Sequence, residues 1–371
     1  MKEFRGVFDF VIASRSLAKQ FRFSIRRLPQ CADGYVGTHC NDRRKNNLSV
    51  TVLCCAFLLL ASCSGIEPIH RTPNPVAEMK YDFSLDPEIR VHVNRPSFPD
   101  SGKKTMVILY ALPNGNSIEM TIGKQLHEGD DWHYDIQHIG AQVRFLRKQL
   151  PEVNIVVFYL ENKQKSWPAW RKMYSNNHEI IRTIVTSFTT LYHPDTEFII
   201  AGHSGGGSFI NGLLNAYDTI PQKISRIAYL DANYSYDDSL DHGKKLFQWL
   251  YADTTHKLSV IAYDDREITF NGKKVISPTG GTYRATQRMM NYFREWTDIR
   301  SFQDSAILQY ESFNNRSRFI VHTNPNTLIL HTVLVEKNGL IHSVLFNTPM
   351  EEQQYKFFGP RAYQEFISEE E

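Results

Sequence analysis

Glu197-Phe198-Ile199-Ile200-Ala201-Gly202-His203-Ser204-Gly205-Gly206-Gly207-Ser208 decides how this chain reads. An apolar run enters a glycine-rich turn, and Phe209, Ile210, Leu213 and Leu214 continue beyond it at helical spacing. A strand that turns sharply into a helix lifts the side chain at the bend clear of the sheet edge. Gly202 and Gly206 flank Ser204 at two residues on either side and leave no Cβ to crowd the bend. The helix start behind the serine offers free N–H groups and the positive end of a dipole to a developing negative charge. The plainer reading is a Gly-rich strand–helix turn in which the serine only caps the helix.

Working outward, apolar strand-like runs at 105–111, 154–160, 226–230, 258–263 and 328–335 alternate with helical patterns at 135–150, 179–192, 240–251, 283–296 and 351–367. An edge strand is expected at 88–93. Apolar strands without in–out alternation, separated by helices, imply a mostly parallel sheet covered on both faces, a three-layer α/β/α sandwich. In such sheets ligands sit beyond the carboxyl ends of the strands.

The Gly202-x-Ser204-x-Gly206 turn, with this strand and helix order, resembles the nucleophile elbow of the α/β-hydrolase fold over residues 85–371. The resemblance implies a serine nucleophile, then an aspartate or glutamate, then a histidine in chain order. Ser204 is the expected nucleophile. The base is expected after the last strand, where Asn338-Gly339 turns and His342 leaves the turn. His331 falls inside the expected 328–335 strand and reads as packed; His322 precedes it. An imidazole suits the role because its pKa lies near working pH. The acid is expected at a strand end: Asp265 first, with Asp231 and Asp264 as alternatives. The family's oxyanion donors would be the amides of Gly205 and of Asn114 or Gly115, since Pro113 has no N–H.

Three other stretches carry chemistry-bearing residues. His127, Glu128, Asp130, Asp131, His133, Asp135 and His138 crowd one loop at irregular spacing, which reads as a solvated loop rather than a metal site. Trp167, Trp170 and Arg171 could stack on a sugar or hold a carboxylate, or could form a packing corner. The stretch 277–284 opens a helix and could receive an anionic group, or be a plain capped loop. The sequence shows no cofactor fingerprint.

All five cysteines lie within the first 63 of 371 residues. Residues 1–62 carry a net charge of +6 and the remainder −4, which excludes a basic nucleic-acid-binding body. Arg43-Arg44-Lys45 precede a short apolar run that ends in Leu60-Ala61-Ser62-Cys63. That is the layout of an export signal, and its end looks like a bacterial lipobox in which Cys63 would be acylated. The expected organisation is a leader at 1–62, a Pro-rich tether at 63–84 and a hydrolase domain at 85–371. The expected protein is an exported serine hydrolase, lipid-anchored to the cell envelope. It would cleave a carboxylic ester of a small-molecule or envelope-derived acyl substrate. The alternatives are an amidase or peptidase, or a catalytically silent lipoprotein of the same fold that binds an envelope component.

Overall fold

The computed structural model describes residues 77–369. The leader and Cys63 lie outside the described residues.

Ten strands form one sheet in the order β1-β2-β4-β3-β5-β6-β7-β12-β11-β10. They are β1 (Glu78–Leu85), β2 (Ile89–Pro96), β3 (Lys104–Ala111), β4 (Val153–Asn162), β5 (Glu197–His203), β6 (Ile224–Leu230), β7 (Lys257–Tyr263), β10 (Arg300–Asp304), β11 (Ile307–Ser312) and β12 (Ser317–His322); β8 (Thr269–Phe270) and β9 (Lys273–Lys274) make a separate hairpin. The six central strands β4 to β12 run parallel. Antiparallel strands flank them, β1 and β2 on one side, β10 and β11 on the other. The first eight positions of this order, with β2 reversed, are those of the α/β-hydrolase fold, and β5 is the strand that carries Ser204.

Both faces of the central parallel strands are buried, as the apolar runs require. Along β5, Phe198 and Ile200 enter one core layer, and Ile199 and Ala201 enter the other. Helices α3 (Trp167–Met173), α4 (Asn177–Leu191), α5 (Gly207–Ala216), α6 (His242–Ala252) and α7 (Thr282–Arg294) cover the first layer. Helices α1 (Ile118–Ile122), α2 (Ile139–Gln149), α8 (Val333–Glu336) and α9 (Gly339–Leu345) cover the second.

Three expectations change. The 328–335 run is not a strand: the last parallel strand is β12, and the run is a loop leading into α8. A short apolar run does not distinguish strand from helix. Here Leu330 and Leu334 are buried four apart, and the Leu334 amide donates to the Leu330 carbonyl. The expected closing helix at 351–367 is a series of turns with one 3₁₀ turn, Gln364–Phe366, because Gly359-Pro360 interrupts it. The sheet also begins earlier than residue 85. β1 occupies the end of the expected tether, where Tyr81 and Phe83 pack on the core and Leu85 is buried.

β1 is also held electrostatically. The Glu78 carboxylate accepts from Arg144 Nη2 at 2.9 Å and Arg147 Nη1 at 2.5 Å, and all three side chains are under one-tenth exposed. Removing one partner of such a group leaves buried charge uncompensated. Glu78→Ala should therefore lower unfolding free energy by about 3–5 kcal/mol, read from the urea midpoint. A loss under about 1 kcal/mol would show that the strand is held by packing alone.

Candidate active site

Parallel strands put their carboxyl ends on one edge, and five of those ends converge here. β5 ends at His203, and Ser204 follows with φ 52°, a left-handed conformation unusual for a residue with a side chain. Two close approaches explain the glycines after it. A Cβ on Gly206 would lie 2.1 Å from the Ala111 carbonyl oxygen at the end of β3. One on Gly207 would lie 1.6 Å from the Ala232 carbonyl oxygen beyond β6. The turn is thus wedged between the backbones of the two neighbouring strand ends, with Ser204 left part-exposed at its crest.

β6 ends at Leu230, and Asp231 follows it, turning with φ 48° and buried. Its carboxylate meets two groups from distant parts of the chain. Asp231 Oδ2 lies 2.5 Å from His331 Nδ1, and Asp231 Oδ1 accepts from Thr282 Oγ1 at 2.5 Å. A buried carboxylate fixes the imidazole as its Nδ1–H tautomer or as the imidazolium, which aims Nε2 away from the pair. No hydrogen bond to His331 Nε2 is present among the described residues, and the side chain is about one-third exposed at 32%. His203, the residue before Ser204, packs its ring 4.6 Å from that of His331 and donates Nε2–H to the His331 carbonyl oxygen at 3.0 Å. Burial first, and the charge on His331 second, hold the His203 pKa well below the usual value, so His203 is a neutral donor.

His342 is not at this edge. It lies on α9, 2% exposed, with Nδ1 3.2 Å from the Tyr355 hydroxyl and rings of Phe346, Tyr355 and Phe357 around it. Burial first, then Arg318 and Arg226, push its pKa down to about 3. Both arginines sit near the amino ends of their strands, β12 and β6, the edge opposite Ser204. Shifting the last strand back to β12 is what exchanges the two histidines: His331, expected in a strand, is on the first loop after it.

The two other carboxylates have separate duties. Asp264 is paired with Arg266 at 2.6 Å, which holds its pKa below the usual range against the opposing effect of burial. Asp265 caps α7: its Oδ2 accepts from the Thr282 amide at 2.7 Å, and its Oδ1 is buried with no hydrogen-bond partner among the described residues. The anion that the 277–284 stretch receives is therefore the chain's own Asp265. Burial, and then the neighbouring Asp231, push its pKa up to about 6.

At the end of β3 the Asn114 carboxamide stands against Gly205, within 1.9 Å of where a Cβ would project. The Gly115 amide, an expected oxyanion donor, is already bound to the Lys165 carbonyl at 2.8 Å, and that of Leu112 to Leu160 at 3.2 Å. The Asn114 amide has no such partner among the described residues.

Trp167 and Trp170 are fully buried, edge to face at 5.4 Å, and Trp170 Nε1 donates to the Pro87 carbonyl. Arg171 donates to Ser208. This is the packing corner, not a stacking platform. In the 127–138 loop, Asp131 pairs with His133, and Asp135 with His138 and Arg361.

No family model and no curated protein matches the chain. Among solved structures, 94 chains match. The feruloyl esterase module of Clostridium thermocellum is 12% identical, with 76% of this chain and 93% of that chain covered and a TM-score of 0.43. The poly(3-hydroxybutyrate) depolymerase LpqC of Bordetella parapertussis is 11% identical, covering 72% and 88%, with a TM-score of 0.41. An esterase of Pyrococcus furiosus is 14% identical, covering 74% and 92%, with a TM-score of 0.34. The architecture rests on this chain's own strand order.

A carboxyl whose pKa is raised on folding destabilises the protein as it ionises. The stability contributed by protonated Asp265 is full below the unfolded pKa of about 4 and is lost as pH rises through about 6. Asp265→Asn removes this titration and keeps an oxygen to accept from Thr282. Denaturant unfolding at half-unit pH steps should therefore give the variant a flatter profile than wild type between pH 4 and 7; parallel profiles would refute the raised pKa.

Proposed function

We propose that this protein is a serine hydrolase that cleaves a carboxylic ester through an acyl-enzyme on Ser204, with His331 as the base and Asp231 as the carboxylate that orients it. The observation that carries this reading is the 2.5 Å contact between His331 Nδ1 and Asp231 Oδ2, held beside the Ser204 turn through His203. This replaces the sequence-based choice of His342 and Asp265. In the proposed first step the Ser204 hydroxyl attacks the acyl carbon, and its proton passes to His331 Nε2. A C–O bond forms, and the carbonyl electron pair moves to oxygen, near the Gly205 and Asn114 amides. The tetrahedral intermediate collapses as the protonated His331 gives its proton to the leaving alcohol. Water, deprotonated by His331, then releases the acid. Asp231 stays ionised and stabilises the imidazolium. The choice of an ester over an amide follows from the fold family's commonest chemistry and rests on analogy.

We further propose that the chain is exported and anchored through an acylated Cys63, on the strength of the Leu60-Ala61-Ser62-Cys63 stretch after a basic, then apolar, leader.

A fluorophosphonate probe should label wild type and not Ser204→Ala. With p-nitrophenyl acetate, His331→Ala should lower kcat by about 10⁶ and Asp231→Asn by about 10⁴, while Asp265→Asn stays within tenfold. Loss at Asp265 alone would overturn the acid assignment; an unlabelled, folded wild type would overturn the enzyme. In a bacterial host Cys63→Ala should move the protein from the membrane fraction to the soluble one, and an unchanged fraction would refute the anchor.

A further inference from the structure

Helix α7 buries two hydroxyls on a face that would ordinarily pack with aliphatic side chains. Thr282 and Thr286 are four apart, so they share one face, and both are buried. That face lies against the loop after β6. Thr282 Oγ1 donates to Asp231 Oδ1 at 2.5 Å, and Thr286 Oγ1 accepts from Asn233 Nδ2 at 2.9 Å. Three residues further on, Met289 Sδ lies 3.2 Å from the same Asn233 nitrogen. The head of this stripe is fixed from a third direction. The Thr282 amide donates to Asp265 Oδ2 at 2.7 Å, and a Cβ on Gly281 would lie 2.4 Å from that oxygen.

A threonine hydroxyl has one proton to give, and an ionised carboxylate can only accept. Thr282 Oγ1 lies 2.5 Å from Asp231 Oδ1 and 3.4 Å from Asp265 Oδ2, so the proton goes to Asp231. The consequence falls on the imidazole. The last torsion of an aspartate is broad, so a carboxylate held at one oxygen rocks about its Cβ–Cγ bond. Held by His331 alone, Asp231 would carry the ring with it, and its second oxygen would be buried without a donor. Thr282 takes Oδ1 while Oδ2 meets His331 Nδ1 at 2.5 Å, and two bonds fix the plane of the carboxylate. A β-branched side chain, stiff at χ1, makes a firm second point of attachment.

We propose that Thr282 is a positioning residue of the site: its hydroxyl fixes the rotation of the Asp231 carboxylate, and through it the direction in which His331 presents Nε2 to Ser204. The inference rests on the reading of Ser204, His331 and Asp231 above. Thr282 transfers no proton and touches no substrate; its bond to Asp231 is kept through every step. Thr286 serves the same loop at Asn233, two residues past the carboxylate, and holds backbone rather than the acid.

Thr282→Val keeps the shape of the side chain and removes the donor. With p-nitrophenyl acetate it should lose on the order of 10- to 100-fold in kcat, the range for a hydrogen bond to a charged group, with KM within about threefold. Thr282→Ser restores the hydroxyl and should recover kcat to within about threefold of wild type. Thr286→Val removes the other buried hydroxyl of the same face and should also stay within about threefold. A second readout needs no turnover: the downfield proton resonance of the Nδ1–H between His331 and Asp231, identified by its loss in His331→Ala. It should shift in Thr282→Val and stay in place in Thr282→Ser and Thr286→Val. If the valine variant does not fold, Thr282→Cys, a weaker donor of similar size, takes its place and should lose about tenfold in kcat. A valine or cysteine variant within threefold of a working wild type, or an unshifted resonance, overturns the role of Thr282 and leaves the Ser204 reading standing. So does a loss at Thr286→Val as large as that at Thr282→Val, because packing then explains both. A folded wild type that neither labels nor turns over overturns the Ser204 reading and this inference with it.

Discussion

A buried carboxylate must be paired, and at Asp231 that requirement fastens together segments a hundred residues apart. A carboxylate out of water is costly unless its oxygens are hydrogen-bonded. Asp231 meets this with one partner from the loop after β12 and one from the start of α7. Neither loop has a regular ladder at that point, so these bonds, with the His203 bond to the His331 carbonyl, determine where the imidazole stands. The parallel sheet supplies the common edge; the buried charge selects which residues meet on it.

The Ser204 turn depends on the same neighbours. Its left-handed backbone is strained, and strain persists only where the surroundings over-determine the conformation. The carbonyls of Ala111 and Ala232 press on Gly206 and Gly207 from the two flanking strands. Those flanking loops also carry Asn114 on one side and Asp231 on the other, so the packing that holds the bend also fixes the loops on which these polar residues stand.

Much of this was legible in the chain because both faces of the central strands are covered. Apolar runs at β3, β4, β5, β6 and β7 are unambiguous when every side chain is buried, and Gly202-His203-Ser204-Gly205-Gly206 marks the turn by residues a bend of that kind requires. The histidine was not legible. The run around His331 is as apolar as the true strand, and β12 begins with Ser317 and Arg318, which look polar. Arg318 is buried only because Glu311 and Glu351 pair with it, a long-range compensation with no local signature. Placing the strand one segment late put the expected base at His342, away from the edge where His331 meets Asp231. Similarly, Trp167 and Trp170 carry no sign in sequence of whether they face a ligand or the core. The edge strand β1 hid among prolines because its anchor, Glu78, is held by arginines more than sixty residues away.

The choice between two aspartates is likewise a matter of environment. Asp231 and Asp265 both lie buried at adjacent strand ends and both contact Thr282. Burial, and then the neighbouring Asp231, raise the pKa of Asp265. Asp231 has the imidazole; Asp265 has backbone amides, an oxygen without a partner among the described residues, and a pKa pushed up to about 6. Under the proposed mechanism the carboxylate that touches His331 is the useful one, since the positive charge appears on that ring as Ser204 gives up its proton. Thr282 joins the two carboxylates, giving its amide to Asp265 and its hydroxyl to Asp231, so the start of α7 ties the ends of β6 and β7 to one another.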